Sequence, residues 1–246
     1  MKTSNLILIV TALLLAALPF ALATYAKIGA PKLELSGERV SEELEALPLK
    51  HLDIKGPIQL ILTAGLPKVT LEGDSKLLQQ LEREQDGDRL SLELPQFNGI
   101  RQEDFVIARV QTNDLSELRL EGRARAQSEA ALPYRNFELH GAGGPWVELE
   151  FMDAKLVDVH YAGGGTANLR GVAATLDIDL SGGNTVDARE LRAQHVSVDA
   201  AGGNTASVWA DSTLDVSGAG SINVNYLGDP QVSSRGSGSV SVNRME

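Results

Sequence analysis

The second half of the sequence repeats about every 19 residues, and this repeat strongly limits the folds open to the chain. Each unit has an apolar-polar-apolar run, a glycine-rich bend and a second alternating run. The units begin at Leu118, Phe137, Val157, Leu176, Val196, Leu214 and Val232, in steps of 19, 20, 19, 20, 18 and 18 residues. Such a period in strand-forming sequence predicts a solenoid, because one coil cannot bury its apolar face but a stack of coils can.

Alternation with period 2 predicts which side chains point inward. One inward column is expected to hold Leu139, Val159, Ile178, Val198 and Val216. A second is expected to hold Val147, Ala167, Val186, Ala206, Ile222 and Val240. At the bend, we expect a left-handed backbone conformation, which glycine and asparagine adopt most easily, at Gly165, Asn184, Asn204, Gly220 and Gly238.

The sequence of the first half of the chain predicts short strands and one helix. The alternating runs are "LELSG", "HLDIKGPIQLIL", "KVTLEGD", "RLSLELP" and "DFVIARVQT". The segment "SKLLQQLERE" predicts a helix capped by Asp74 or Ser75, and residues 86–88 predict a turn back into strand. The pattern leaves open whether these strands are the first, less regular coils or a cap packed on the solenoid.

The N-terminus carries an apolar segment. Residues 6–23 have no charge, and the small-x-small triplet Ala21-Leu22-Ala23 suits signal peptide cleavage, while Tyr25 and Lys27 equally suit the interface of a short uncleaved anchor. Both interpretations place the chain after about Lys27 outside the cytoplasm. We therefore predict a signal peptide or membrane anchor at 1–27 and one domain at 28–246, irregular over 28–117 and regular over 118–246.

Composition excludes several classes of function. A net charge of −11 and a pI near 4.9 argue against nucleic acid as a partner. The chain has no cysteine, so disulfides, thiolate metal sites and a cysteine nucleophile are excluded.

The closing residues "SGAGSINVNYLGDP" and "RGSGSVSV", and the upstream run beginning "HLDIKGPIQLIL", resemble the auto-transporter adhesin head GIN domain family of bacterial envelope proteins. The resemblance covers most of residues 33–244. It implies an all-β, right-handed parallel β-solenoid in an exported protein. The family carries no established catalytic residues, so the resemblance assigns no site.

Two outward columns could carry chemistry. One is expected to hold His140, His160, Asp179, Asp199 and Ser217, and the one beside it Glu138, Asp158, Asp177 and Asp215. Neighbouring carboxylates and imidazoles could bind a divalent cation or act as acid and base on a sugar chain. They are also what the exposed strand face of an acidic protein must show, and this interpretation is favoured. Sparse aromatic residues could stack on carbohydrate if exposed: Trp146, Phe151, Tyr161, Trp209 and Tyr226.

The sequence thus predicts a non-enzymatic envelope protein, periplasmic or at the cell surface, that serves adhesion, scaffolding or binding. No catalytic, cofactor-binding or metal residue is assigned. The partner is unknown. The sequence leaves open three candidates: a glycan, an envelope protein, or a second copy of the chain bound through the terminal coils. The alternative function is a carbohydrate-active β-helix enzyme, a polysaccharide lyase or hydrolase, which rests on analogy of fold alone.

Overall fold

The computed structural model describes residues 32–44, 48–98, 100–101 and 104–246. Their strands form one 14-stranded sheet that curls into a β-solenoid, which confirms the predicted all-β solenoid architecture. The predicted signal peptide or anchor at 1–27 lies outside the described residues. In the part of the chain that is described, no helix has the length and apolar character needed to cross a membrane.

The elements follow one another with short connections. They are β1 (Arg39–Leu44), β2 (His51–Lys55), β3 (Ile58–Thr63), β4 (Lys68–Asp74), α1 (Ser75–Gln80), β5 (Glu82–Asp86), β6 (Arg89–Glu93), β7 (Val106–Gln111), β8 (Glu117–Glu121), β9 (Arg125–Ser128), β10 (Asn136–Ala142), β11 (Trp146–Gly163), β12 (Thr166–Gly182), β13 (Thr185–Leu227) and β14 (Gln231–Arg244). The longest strands bend round the corners, so a single strand contributes to successive coils.

From β8 onward, successive coils pair in parallel. The first inward column is confirmed, since its five predicted members are all buried. The predicted start of the first repeat unit is two residues out of register, because Leu118 pairs with Leu139 and not with Phe137. The second column is correct through Ala206, because the N–H of Thr205 donates to the carbonyl of Asn184 just as that of Thr185 donates to Gly165 in the coil before. It is wrong at Ile222 and Val240, for a reason that lies in the coil after Asn204.

The coil after Asn204 is shorter than those before it. A Cβ on Gly220 would meet the carbonyl oxygen of Gly202 at 2.3 Å, so these two residues stack although they are only 18 positions apart. This stacking places Ile222 level with Asn204, and Val224 level with Ala206. The glycine-rich bend makes this change in coil length hard to detect from the sequence.

The left-handed conformation is confirmed at two of the five predicted corner positions, Gly220 (φ 124°) and Gly238 (φ 95°). At the other three corners it falls two residues earlier, on Gly163, Gly182 and Gly202, with φ of 106°, 110° and 103°. None of the described non-glycine residues has a positive φ, so the left-handed conformation predicted for Asn184 and Asn204 is wrong. Only glycine fits the corner, because its Cα lies directly against the backbone of the preceding coil.

Asn184 and Asn204 instead form a buried ladder inside the corner, with 1% and 2% of their surface exposed. Oδ1 of Asn184 accepts the backbone N–H of Gly165 at 3.0 Å, and its Nδ2 donates to the carbonyl of Ser181 at 3.0 Å. Nδ2 of Asn204 donates likewise to the carbonyl of Ala201 at 2.9 Å. The side chains therefore supply hydrogen bonds that the turning backbone cannot make for itself.

The first half of the chain forms coils of the solenoid and also a cap on its N-terminal end. β2 pairs in parallel with β6 and β8, and β3 with β7 and β9, so the β2–β3 coil lies between the β6–β7 and β8–β9 coils. Three antiparallel strands close this end, because β4 pairs with β7, β5 with β6, and β1 with β4. The stacking order thus departs from the chain order, which the sequence pattern could not reveal.

Two local predictions in this half need correction. The helix ends at Gln80, and residues 82–86 form β5, because pairing with β6 gives their backbone better partners than a further helical turn. Residues 33–37 are not a strand, since the carboxylate of Asp74 accepts the N–H groups of Ser36 and Gly37. The turn at 86–88 is confirmed, with Gly87 at φ 58°.

Candidate functional site

One outward face of the stacked coils carries columns of ionisable side chains, and we call it the ladder face. It is formed by β8, β10 and the strand segments that pair above them. Its acidic column is Glu117, Glu138, Asp158, Asp177 and Ser197; its middle column is Arg119, His140, His160, Asp179 and Asp199; its small column is Glu121, Ala142, Ala162, Ser181 and Ala201. The predicted juxtaposition of His140, His160, Asp179 and Asp199 is therefore confirmed.

A groove of about 590 Å³ runs along the middle and small columns. It exists because alanine and serine side chains are short beside the histidine and aspartate side chains. The rings of His140 and His160 stack with centroids 4.9 Å apart and planes 11° apart. The groove thus passes from the cationic Arg119, over two imidazoles, to the carboxylates of Asp179 and Asp199.

Glu117 is the centre of an ion-pair network at the cationic end. Its carboxylate accepts hydrogen bonds from Arg89 and His51, both at 2.8 Å, and pairs with Arg119. Burial opposes ionisation of Glu117, but these three partners outweigh it and lower its pKa to about 2. Arg89 also holds both carboxylate oxygens of Asp53, at 3.0 and 2.8 Å. The network ties the β6 and β2 strands to the solenoid.

Sequence reasoning missed this network. Arg89 and Asp53 lie outside the repeat, and they reach Glu117 only because β2 and β6 stack out of chain order. Glu117 itself immediately precedes the first predicted repeat unit. The one available signal was charge alternation in short strands, which does not identify partners.

The other end of the ladder face is acidic. Nε2 of His160 lies 3.0 Å from Asp158, and its Nδ1 lies 3.5 Å from Asp179, so both ring nitrogens are held by carboxylates. Burial raises the pKa of Asp177, and repulsion from Asp158 and Asp179 raises it further, while His160 opposes the rise. This end therefore favours cationic or hydroxyl-rich ligands over anions.

One group on the ladder face has spacing suited to a metal ion. Ligand atoms of Glu117, Glu138 and His140 all lie within 4.8 Å of one another. However, both carboxylate oxygens of Glu117 already face cations, Arg89 on one and Arg119 on the other. A divalent ion would have to displace these guanidinium groups and bear their repulsion, so we assign no metal there.

The aromatic residues divide by environment. Phe151 and Tyr161 are buried in the core, where their rings fill space. Trp209 is half-buried; its Nε1 donates to Asp211 at 3.1 Å, and the guanidinium of Arg192 lies 5.7 Å from its ring centroid. Its partners thus hold the indole in place beside Asp211 and Arg192.

A family model described as "Putative auto-transporter adhesin, head GIN domain" matches residues 48–230, most of the chain. The chain belongs to this family. The match spans the β2–β3 coil, the cap strands β4 and β5, and the ladder face. A comparison with curated proteins finds no match.

Solved structures resemble this head GIN domain along nearly its whole length. A "putative adhesin" from Bacteroides fragilis is 16% identical, with a TM-score of 0.75, covering 87% of this chain and 100% of that one. A "putative lipid binding protein" from Parabacteroides distasonis is 18% identical, with a TM-score of 0.66 and the same coverage. A "putative adhesin" from Parabacteroides merdae is 15% identical, with a TM-score of 0.66, covering 88% and 100%. At such identities the likeness establishes the fold alone.

Proposed function

We propose that the protein is a non-enzymatic adhesion or scaffolding module of the cell envelope that binds an extended, hydroxyl-rich glycan along the ladder face. In this proposal residues 1–27 export or anchor the chain, and residues 28–246 bind outside the cytoplasm. Membership of an adhesin-like family supports export and adhesion.

The observation that carries the proposal is the groove across successive coils, with charged side chains along one wall and short ones along the other. A polymer lying along the stack would meet a new imidazole or carboxylate about every 5 Å. Imidazoles, carboxylates and guanidinium groups can all hydrogen-bond to sugar hydroxyls. An extended ligand therefore fits this surface better than a compact one.

A glycan array probed with the purified chain, with and without calcium, tests the proposal, provided that turnover of each bound glycan is followed over time. Binding without turnover supports it. The raised pKa of Asp177 favours one competing function, a carbohydrate-active enzyme, because the general acid in glycoside cleavage also has a raised pKa. Turnover lost in His140→Ala and His160→Ala would establish that function instead, and failure to bind any glycan would contradict both.

A further inference from the structure

The two ends of the solenoid are protected to different degrees. At the N-terminal end, antiparallel strands cover the coils, and the outermost of them, β1 and β5, carry charged sequences, "RVSEEL" and "EREQD". Charged side chains on an edge strand discourage pairing with another chain. This end therefore has the features of a protected edge.

At the opposite end, the described residues provide no such protection. Among the described strands, β14 pairs only with β13, so one edge of its 14 residues is left with unpaired backbone groups. Its sequence, "QVSSRGSGSVSVNR", contains no proline, lysine or acidic residue. Val232 is 43% exposed, and Val240 and Val242 are only partly buried at the end of the core. Such an edge is expected to have a partner.

The pattern of β14 is self-complementary in one antiparallel register. Inward side chains are those stacked on buried residues of β13, namely Val232 on Leu214, Val240 on Ile222 and Val242 on Val224. If two copies meet with Ser237 opposite Ser237, Val232 of each lies opposite Val242 of the other. The corner glycines then meet as well, with Gly236 of each copy opposite Gly238 of the other. In each copy, the part of β14 before the corner thereby pairs with the part of β14 after the corner in the other copy.

Charge and area favour the same arrangement. Within residues 229–246, Arg235 and Arg244 balance Asp229 and Glu246, so this end is neutral in a chain of net charge −11. The register places Arg244 of each copy beside Asp229 of the other, in addition to its own Asp229 at 3.3 Å. The two arms of β14, one on each side of the corner, are each about 20 Å long, and packed sheets lie about 10 Å apart. Pairing both arms would therefore bury on the order of 1,000 Å², the size at which specific interfaces begin.

We propose that two copies of this chain associate end to end through β14, by antiparallel pairing about a two-fold axis at Ser237. The arrangement is closed, because the protected N-terminal end offers no matching edge for further growth. It is independent of any ligand on the ladder face, which lies along the side of the stack.

The absence of cysteine allows a direct test in the full chain, kept in its membrane or in detergent. Ser237→Cys places two thiols opposite each other and should form a disulfide dimer under mild oxidation. Ser239→Cys is equally exposed, but its copies would lie about 13 Å apart, too far for a disulfide. We expect the yield of dimer to be at least about fivefold higher for Ser237→Cys.

A second pair of variants tests the edge itself. In the Ser237→Cys chain, Val232→Glu puts a carboxylate against the apolar edge and should reduce the dimer yield at least about fivefold. Val172→Glu is the matched control, because Val172 is 47% exposed and remote from β14; it should leave the yield unchanged. Equal yields from the two cysteine variants, no dimer from either, or a yield indifferent to Val232→Glu would each overturn the proposal. Circular dichroism of every variant checks that the fold is retained.

Discussion

Asn184 and Asn204 are joined through a single oxygen atom: Oδ1 of Asn204 accepts both the backbone N–H and the side-chain Nδ2 of Asn184, each at 3.0 Å. Both residues are buried at the corner of the coil. The bridge therefore satisfies two donors that water cannot reach, and it links two coils at the point where their backbones turn.

Removal of this bridge should weaken the fold. Asn204→Ala leaves the buried N–H of Asn184 without its acceptor, and we expect a loss of about 2 kcal/mol in the free energy of unfolding. The measurement is urea unfolding followed by circular dichroism. Asn223→Ala is the control, because Asn223 is exposed and its hydrogen bond to Asn243 competes with water; it should cost less than about 0.5 kcal/mol. Similar losses from both variants would contradict the structural role of the ladder.

The corner glycines provide a second test. Gly182 has φ 110°, and a Cβ added to it would lie 2.3 Å from the carbonyl oxygen of Gly163. Gly182→Ala should therefore lower the free energy of unfolding by about 2 kcal/mol or more. Gly203→Ala, one coil further on, meets nothing within 4 Å and should have little effect. Comparison of their thermal unfolding midpoints decides the matter, and equal midpoints would refute a corner built on close backbone contact.

The repeat predicted much of this architecture because a solenoid is determined by neighbouring coils. Alternation alone placed Leu139, Val159 and Ile178 inward, and brought His140 next to His160, since each coil pairs with the next in sequence. The same local logic failed at three of the five predicted corners, Gly165, Asn184 and Asn204. Which of several glycines has a positive φ depends on contacts with the coil below, and adjacent glycines look alike in sequence.

The cationic end of the candidate site was beyond sequence reasoning for a different reason. Glu117 meets Arg89 because the chain places the β6–β7 coil beneath the β2–β3 coil and then returns above both. Nothing in the alternation of short strands encodes that order. The acidic end, by contrast, lies wholly within the regular repeat and could be predicted.

The low pKa of Glu117 gives the stability a defined dependence on pH. Because the pKa is about 2 in the folded protein against an ordinary 4.5, the unfolded chain binds more protons between these values. The contribution of ionised Glu117 to the free energy of unfolding is complete above about pH 5 and is lost as the pH falls towards 2, with a size of about 3 kcal/mol.

Glu117→Gln should accordingly flatten the fall in stability between pH 5 and 2 and lower the stability at pH 7. Urea unfolding at a series of pH values measures both effects. Glu121→Gln is the control, since the carboxylate of Glu121 is half exposed and its cation, Lys55, lies 3.8 Å away. A Glu117→Gln profile parallel to that of the unmodified protein would show that the network does not hold Glu117 ionised.

The groove can be closed without disturbing the core. Ala162 is exposed in the small column, so Ala162→Trp should fill the space beside His160 while the inward residues stay packed. If a glycan binds along the ladder face, its affinity should fall at least about tenfold, because the indole occupies the volume that the ligand needs. Ala219→Trp is the matched control, since Ala219 is exposed on the same face but does not line the groove. Affinities from calorimetry or glycan arrays should separate the two variants. Equal weakening by both, or by neither, would remove the groove as the binding surface and leave the end of the solenoid as the remaining interaction site.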